Sequence, residues 1–152
     1  MTLKKQHGAS AVEFAILLPF LVMLVFGIIE FGLLLYNQQV LTNASREGAR
    51  AAIVGDCTSR LDDSTTSGIG KIVRDYCANR LITFKITNDP PDIMVSPDEN
   101  DRACGTPLIN MGANLTVRVE YDYEFLLPGL LGFGTSKTLS AQTVMKMESD
   151  ET

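Results

Sequence analysis

Few residues in this chain have types and spacings suited to chemistry. The single histidine, His7, lies beside the N-terminus. No Ser-His-Asp or Cys-His pair is therefore available in the body of the chain. Cys57, Cys77 and Cys104 are far apart and have no histidine partners, so they do not form a zinc set. Gly129, Gly132 and Gly134 read G-x-x-G-x-G, but no Walker lysine follows and no βα unit precedes them. Asp98-Glu99-Asn100-Asp101 lacks the glycine of an EF-hand loop and reads as a solvated acidic loop. The expectation is a protein with no catalytic residues, no metal and no cofactor. With 13 basic against 18 acidic residues, a nucleic-acid partner is not expected either. What remains is an N-terminal constellation: Lys4, Lys5, Gly8, Ala9 and Glu13, then Phe14 and a long apolar run.

That run positions the constellation. Phe14 to Ile29 contains no charge, and after Glu30 the apolar sequence resumes to Tyr36. At 1.5 Å per residue, a helix of roughly 22 residues covers about 33 Å, enough to cross a bilayer core. The run is apolar on every face, and the rest of the chain is too small to surround it. It is longer than the apolar core of a secretory signal, and Asn37-Gln38-Gln39 follows in place of a small-x-small cleavage site. The segment therefore reads as a retained membrane anchor. Lys4 and Lys5 before it favour a cytoplasmic N-terminus. Pro19, Gly27, Glu30 and Gly32 are its unusual members, and Glu30, near the far end, reads as an interfacial carboxylate. The mean hydropathy of +0.12 then averages one membrane helix with an ordinary acidic domain.

Gly8 followed by Ala9-Ser10-Ala11-Val12-Glu13-Phe14 resembles the processing site of type IV pilin-like proteins. The wider pattern resembles the TadE-like family of the tight-adherence (Flp) pilus system. It comprises Val12-Glu13-Phe14-Ala15, Pro19, the Phe26–Gly32 segment FGIIEFG and the Asn43–Arg50 segment NASREGAR. The resemblance implies a minor pseudopilin, cut by a prepilin peptidase between Gly8 and Ala9. Lys4, Lys5, Glu13 and Phe14 would serve recognition and assembly. A new ammonium at Ala9 and a carboxylate at Glu13 are costly apart at a membrane surface and favourable together. The implied location is the bacterial inner membrane, single-pass, with a periplasmic domain. The implied partners are the peptidase, other pilin-like subunits and the pilus assembly machinery. Loss of the leader would take Lys4, Lys5 and His7 and no acid, moving the formal charge from −5 to −7. Two rival readings are an unprocessed signal-anchored periplasmic scaffold and a membrane-anchored enzyme.

The organisation expected is a leader over 1–8, a transmembrane helix over 9–36, a helical extension over 37–54 and a periplasmic α+β domain over 55–152. Ala44, Ala49, Ala51 and Ala52 favour the extension, and Gly48 weakens it. Arg46 and Arg50, four apart, share a face and form a candidate docking patch. Gly55-Asp56 suits a helix end. Ile69, Ile72, Val73, Tyr76 and Cys77 recur at helical spacing, predicting a helix over Gly68–Arg80. Alternation predicts a short strand over Leu81–Thr87, a turn over Asn88–Asp92 and a strand at Ile93–Val95. It also predicts two long paired strands, Leu115–Phe125 and Thr138–Met147. The apolar segment Leu126–Phe133 connects them and is a candidate docking element. Cys57 and Cys104, both in polar loops, are the expected disulfide, with Cys77 reduced and buried.

Overall fold

A computed structural model describes residues 7–54, 67–84, 90–96, 114–126 and 134–146. Its architecture is α+β. Helix α1 (His7–Val54) is followed by helix α2 (Gly68–Ala78) and strands β1 (Asp92–Ser96), β2 (Asn114–Glu124) and β3 (Ser136–Lys146). The strands form one antiparallel sheet in the order β1-β2-β3. Val119 sits opposite Ile93 on one side and Ala141 on the other; Val117 sits opposite Val95 and Thr143.

Period-two alternation decides which face of the sheet is buried. Leu115, Val117, Val119, Tyr121 and Tyr123 of β2 point inward, joined by Ile93, Val95, Leu139 and Ala141. Arg118 and Glu120 pair on the outer face, where the Thr138 hydroxyl donates to Asp122 Oδ1 at 2.6 Å. Helix α2 contributes Ile69, Val73 and Cys77, and Cys77 is a free thiol. Burial pushes that thiol up to about 11, and nearby Arg80 offsets only part of this. The thiol is therefore protonated and inert at neutral pH.

The second half of α1 is the spine of the domain. Its contacting stripe runs Glu30, Leu34, Asn37, Leu41, Ala44, Gly48, Ala52, at steps of three and four. The small residues at 44, 48 and 52 let both α2 and the sheet come close. A Cβ placed on Gly48 would stand 2.5 Å from Val73 Cγ2, 3.1 Å from Ile69 Cγ2 and 3.5 Å from Val117 Cγ1. Gly48 thus trades helix propensity for close packing of three elements. At the end where β2 and β3 are joined, Gly134 has φ of +87°, and Phe125 N–H donates to the Thr135 carbonyl at 3.1 Å.

Two expectations need correction. Leu81–Phe84, expected to begin a strand, is not one. The N–H and C=O of Ile82 are both taken by the Asn37 side chain, so they are not available to a neighbouring strand. The helix before it stops at Ala78, where Arg80 and Leu81 N–H groups turn back onto the Cys77 carbonyl. Asp92, assigned to a turn, opens β1. Lys4, Lys5, Gly55-Asp56, Cys57, the 98–101 acidic run, Cys104 and residues 127–133 lie outside the described residues.

Gly48→Ala should destabilise the domain. Alanine gains about 1 kcal/mol of helix propensity, but overpacking against Val73 and Ile69 costs about 1–3 kcal/mol. Denaturant unfolding of the full chain in detergent should show a lower midpoint with an unchanged slope.

Candidate assembly helix and its junction with the domain

Every described side chain from Gly8 to Val25 is exposed, although most are apolar. Leu17, Phe20 and Leu24 are 63%, 68% and 58% accessible. This stretch of α1 is long and apolar enough to cross a membrane, and none of it is covered by the described residues of the domain. The helix continues through Pro19, which removes one backbone donor and crowds the preceding turn. Gly8 and Glu13 both lie on this bare segment, and a Cβ at Gly8 would meet nothing within 4 Å. Gly27 is half-buried and Gly32 exposed, with open space beside it.

The bare segment ends at Glu30. This carboxylate is only 6% exposed. The Tyr123 hydroxyl donates to its Oε1 at 2.7 Å. The Leu126 N–H points between its two oxygens, at 3.1 and 3.0 Å. Tyr123 is itself fully buried and meets Phe125 edge-to-face, 5.7 Å between ring centres. Burial, followed by the hydrogen bond to Glu30 and its charge, pushes the Tyr123 phenol well above the ordinary tyrosine value. From the sequence, Glu30 reads as an interfacial carboxylate. In the structure it is the first buried residue of α1 and joins the helix to the end of β2.

Three more polar residues of α1 continue the junction. Asn37 Nδ2 donates to the Ile82 carbonyl at 2.7 Å, and Ile82 N–H donates back to Asn37 Oδ1 at 2.9 Å. Gln38 Nε2 donates to the Ser140 carbonyl at 2.8 Å, and Ser45 Oγ lies 2.8 Å from Thr143 Oγ1. Seven helical residues and three strand residues each advance about 10 Å, so β3 runs alongside α1 in the same direction. Sequence reading missed Asn37, Gln38 and Ser45. The signal was the recurrence of Glu30, Asn37 and Ser45 at steps of seven and eight, on the same stripe as Leu41 and Ala44.

Arg46 and Arg50 are exposed, on the side of α1 away from this stripe. The Asn43–Arg50 motif is thereby divided: Ala44, Ser45, Gly48 and Ala49 pack the domain, while Arg46, Glu47 and Arg50 face outward.

Fold and site together define a class: a small α+β domain mounted on a helix whose first half is bare and apolar. Residues 8–50 match the model of the TadE-like protein family, the family its motifs resemble. The match spans the bare segment and most of the contacting stripe, and stops before α2. No curated protein and no solved structure matches the chain.

Tyr123 should titrate well above the ordinary tyrosine pKa near 10, followed by absorbance at 295 nm. A raised folded value means the stabilisation is complete below the ordinary tyrosine pKa near 10 and is lost as pH rises beyond it. Tyr123→Phe should remove that alkaline loss and cost about 1–3 kcal/mol of stability at neutral pH.

Proposed function

We propose that this chain is a minor pilin-like subunit of the TadE-like kind, without enzymatic activity, acting in assembly of a thin adhesive type IVb (Flp/Tad) pilus. It is inserted as a precursor, with residues 1–8 as a cytoplasmic leader. A prepilin peptidase cuts between Gly8 and Ala9. The helix then holds the subunit in the inner membrane, with the domain in the periplasm. The observation that carries this reading is the family match beginning at Gly8 and running along the bare apolar helix.

Each part of the helix has a physical role in this scheme. Peptidase access needs an uncovered segment, and the described residues of the domain cover nothing from Gly8 to Val25. Cutting at Gly8 makes Ala9 an ammonium, and Glu13 becomes the fifth residue of the mature chain. A carboxylate so near the apolar run is costly unless it is paired. The ammonium of a neighbouring subunit is a suitable partner and would set the axial register between helices. Lys4 and Lys5 favour cytoplasmic retention of the leader. Arg46 and Arg50 offer a cationic patch to other subunits or assembly components. In the oxidising periplasm Cys57 and Cys104 form the disulfide, while Cys77 stays a buried thiol.

N-terminal sequencing of the protein from its native membrane tests the processing step. The mature chain should begin at Ala9; a chain beginning at Met1 or Thr2 in cells with an active peptidase would show an unprocessed anchor. Glu13→Gln should insert normally and reduce surface piliation, scored by electron microscopy. Normal piliation in that variant would remove Glu13 from the assembly step.

A further inference from the structure

We propose that the Glu30 end of the domain is seated in the headgroup layer of the bilayer that α1 crosses, with the exposed Phe31 and the half-buried Leu126 against lipid. This rests on the membrane-spanning reading of α1. Ala9–Ile29 is 21 residues, about 31 Å of helix and close to one hydrocarbon thickness. The apolar surface does not stop there. Between Glu30 and Gln38 the exposed residues of α1 are Phe31, Gly32, Leu35 and Tyr36, with Phe31 61% and Leu35 51% accessible. The next exposed charged side chain after the bare segment is Arg46. The free face of the helix therefore stays lipid-compatible for two turns beyond the point where the domain begins on the opposite face.

The domain cannot stand clear of that level. The Leu126 N–H and Tyr123 hydroxyl bonds to Glu30 fix the end of β2 at the height of Ile29 and Phe31. The polar groups gathered around Glu30 are suited to a layer of low dielectric, while Asp122 and Lys137 keep their charges exposed at its edge. Glu30 receives two donors, and the Phe125 N–H is taken by the Thr135 carbonyl. Groups so paired lose little when water is replaced by lipid. Exposed rings mark this stretch of the helix: Phe31 at the level of Glu30 and Tyr36 about 9 Å further along. Such rings favour the membrane–water boundary.

The chain has no tryptophan, so single-tryptophan variants of the full chain give an unmixed signal. The variants are Phe20→Trp, Phe31→Trp, Leu126→Trp and Met94→Trp, reconstituted in phosphatidylcholine vesicles containing lipids brominated high or low on the acyl chain. Met94 is exposed, and its partner Arg118 lies five residues, about 17 Å, back along β2 from Tyr123. Phe31→Trp and Leu126→Trp should be quenched within about twofold of Phe20→Trp, and more by the high bromines than by the low. Met94→Trp should be unaffected. Quenching of Phe20→Trp with Phe31→Trp or Leu126→Trp as silent as Met94→Trp overturns the proposal, and marks that face as lifted from the bilayer or covered by another chain. Because Phe31 lies on the free face, its variant leaves the domain packing intact. A silent Phe20→Trp overturns the membrane-spanning reading itself.

Discussion

A carboxylate removed from water must be met by donors or it destabilises the structure that buries it. Glu30 is met by a phenol and a backbone N–H, both from the end of β2. This arrangement fixes several things together. It sets where the bare helix ends and the domain begins. It fixes the height of the sheet along α1, since Tyr123 closes the inward-facing row that starts at Leu115. It also fixes the rotation of α1, because only one face can present Glu30, Asn37 and Ser45 to their partners. Hydrogen bonds to a charged group contribute about 1.5–3 kcal/mol each, a large share of the stability of a domain this size.

The helix is thereby divided twice. Along its length, an uncovered apolar half gives way to a half that serves as the core of the domain. Around its circumference, small and polar residues face the domain, while Phe31, Leu35, Tyr36, Arg46 and Arg50 face outward. Small residues at 44, 48 and 52 bring α2 and the sheet within contact distance. Polar side chains at 37, 38 and 45 satisfy backbone and hydroxyl groups that a helix of leucines would leave unmet. A rigid join between helix and domain suits an assembly subunit, because any register set between helices is passed directly to the domains.

Much of this was legible in the sequence. The apolar run announced the helix, and eleven residues of strict alternation announced β2, because burial on one face leaves a period-two record. The helix at Ile69–Cys77 was visible for the same kind of reason. The strand expected to begin at Leu81 is absent over Leu81–Phe84 because a few alternating residues do not say which group will satisfy the backbone, and Asn37 does so 45 residues away. Glu30 read as an interfacial carboxylate without its partners, because a charge beside an apolar run has two outcomes, solvation or burial with partners. Its partners lie more than ninety residues on. Gly48 looked like a weakness in a helix, and its reason is tertiary: three side chains occupy the space a Cβ would need.

The central claim is that Glu30 and Tyr123 act as one coupled junction. A double-mutant cycle tests it most directly, using Glu30→Ala, Tyr123→Phe and the pair in the full chain in detergent, with stability from denaturant unfolding. The account predicts a coupling of about 1–3 kcal/mol, with Tyr123→Phe costing little once Glu30→Ala is made. Strict additivity of the two losses would contradict it.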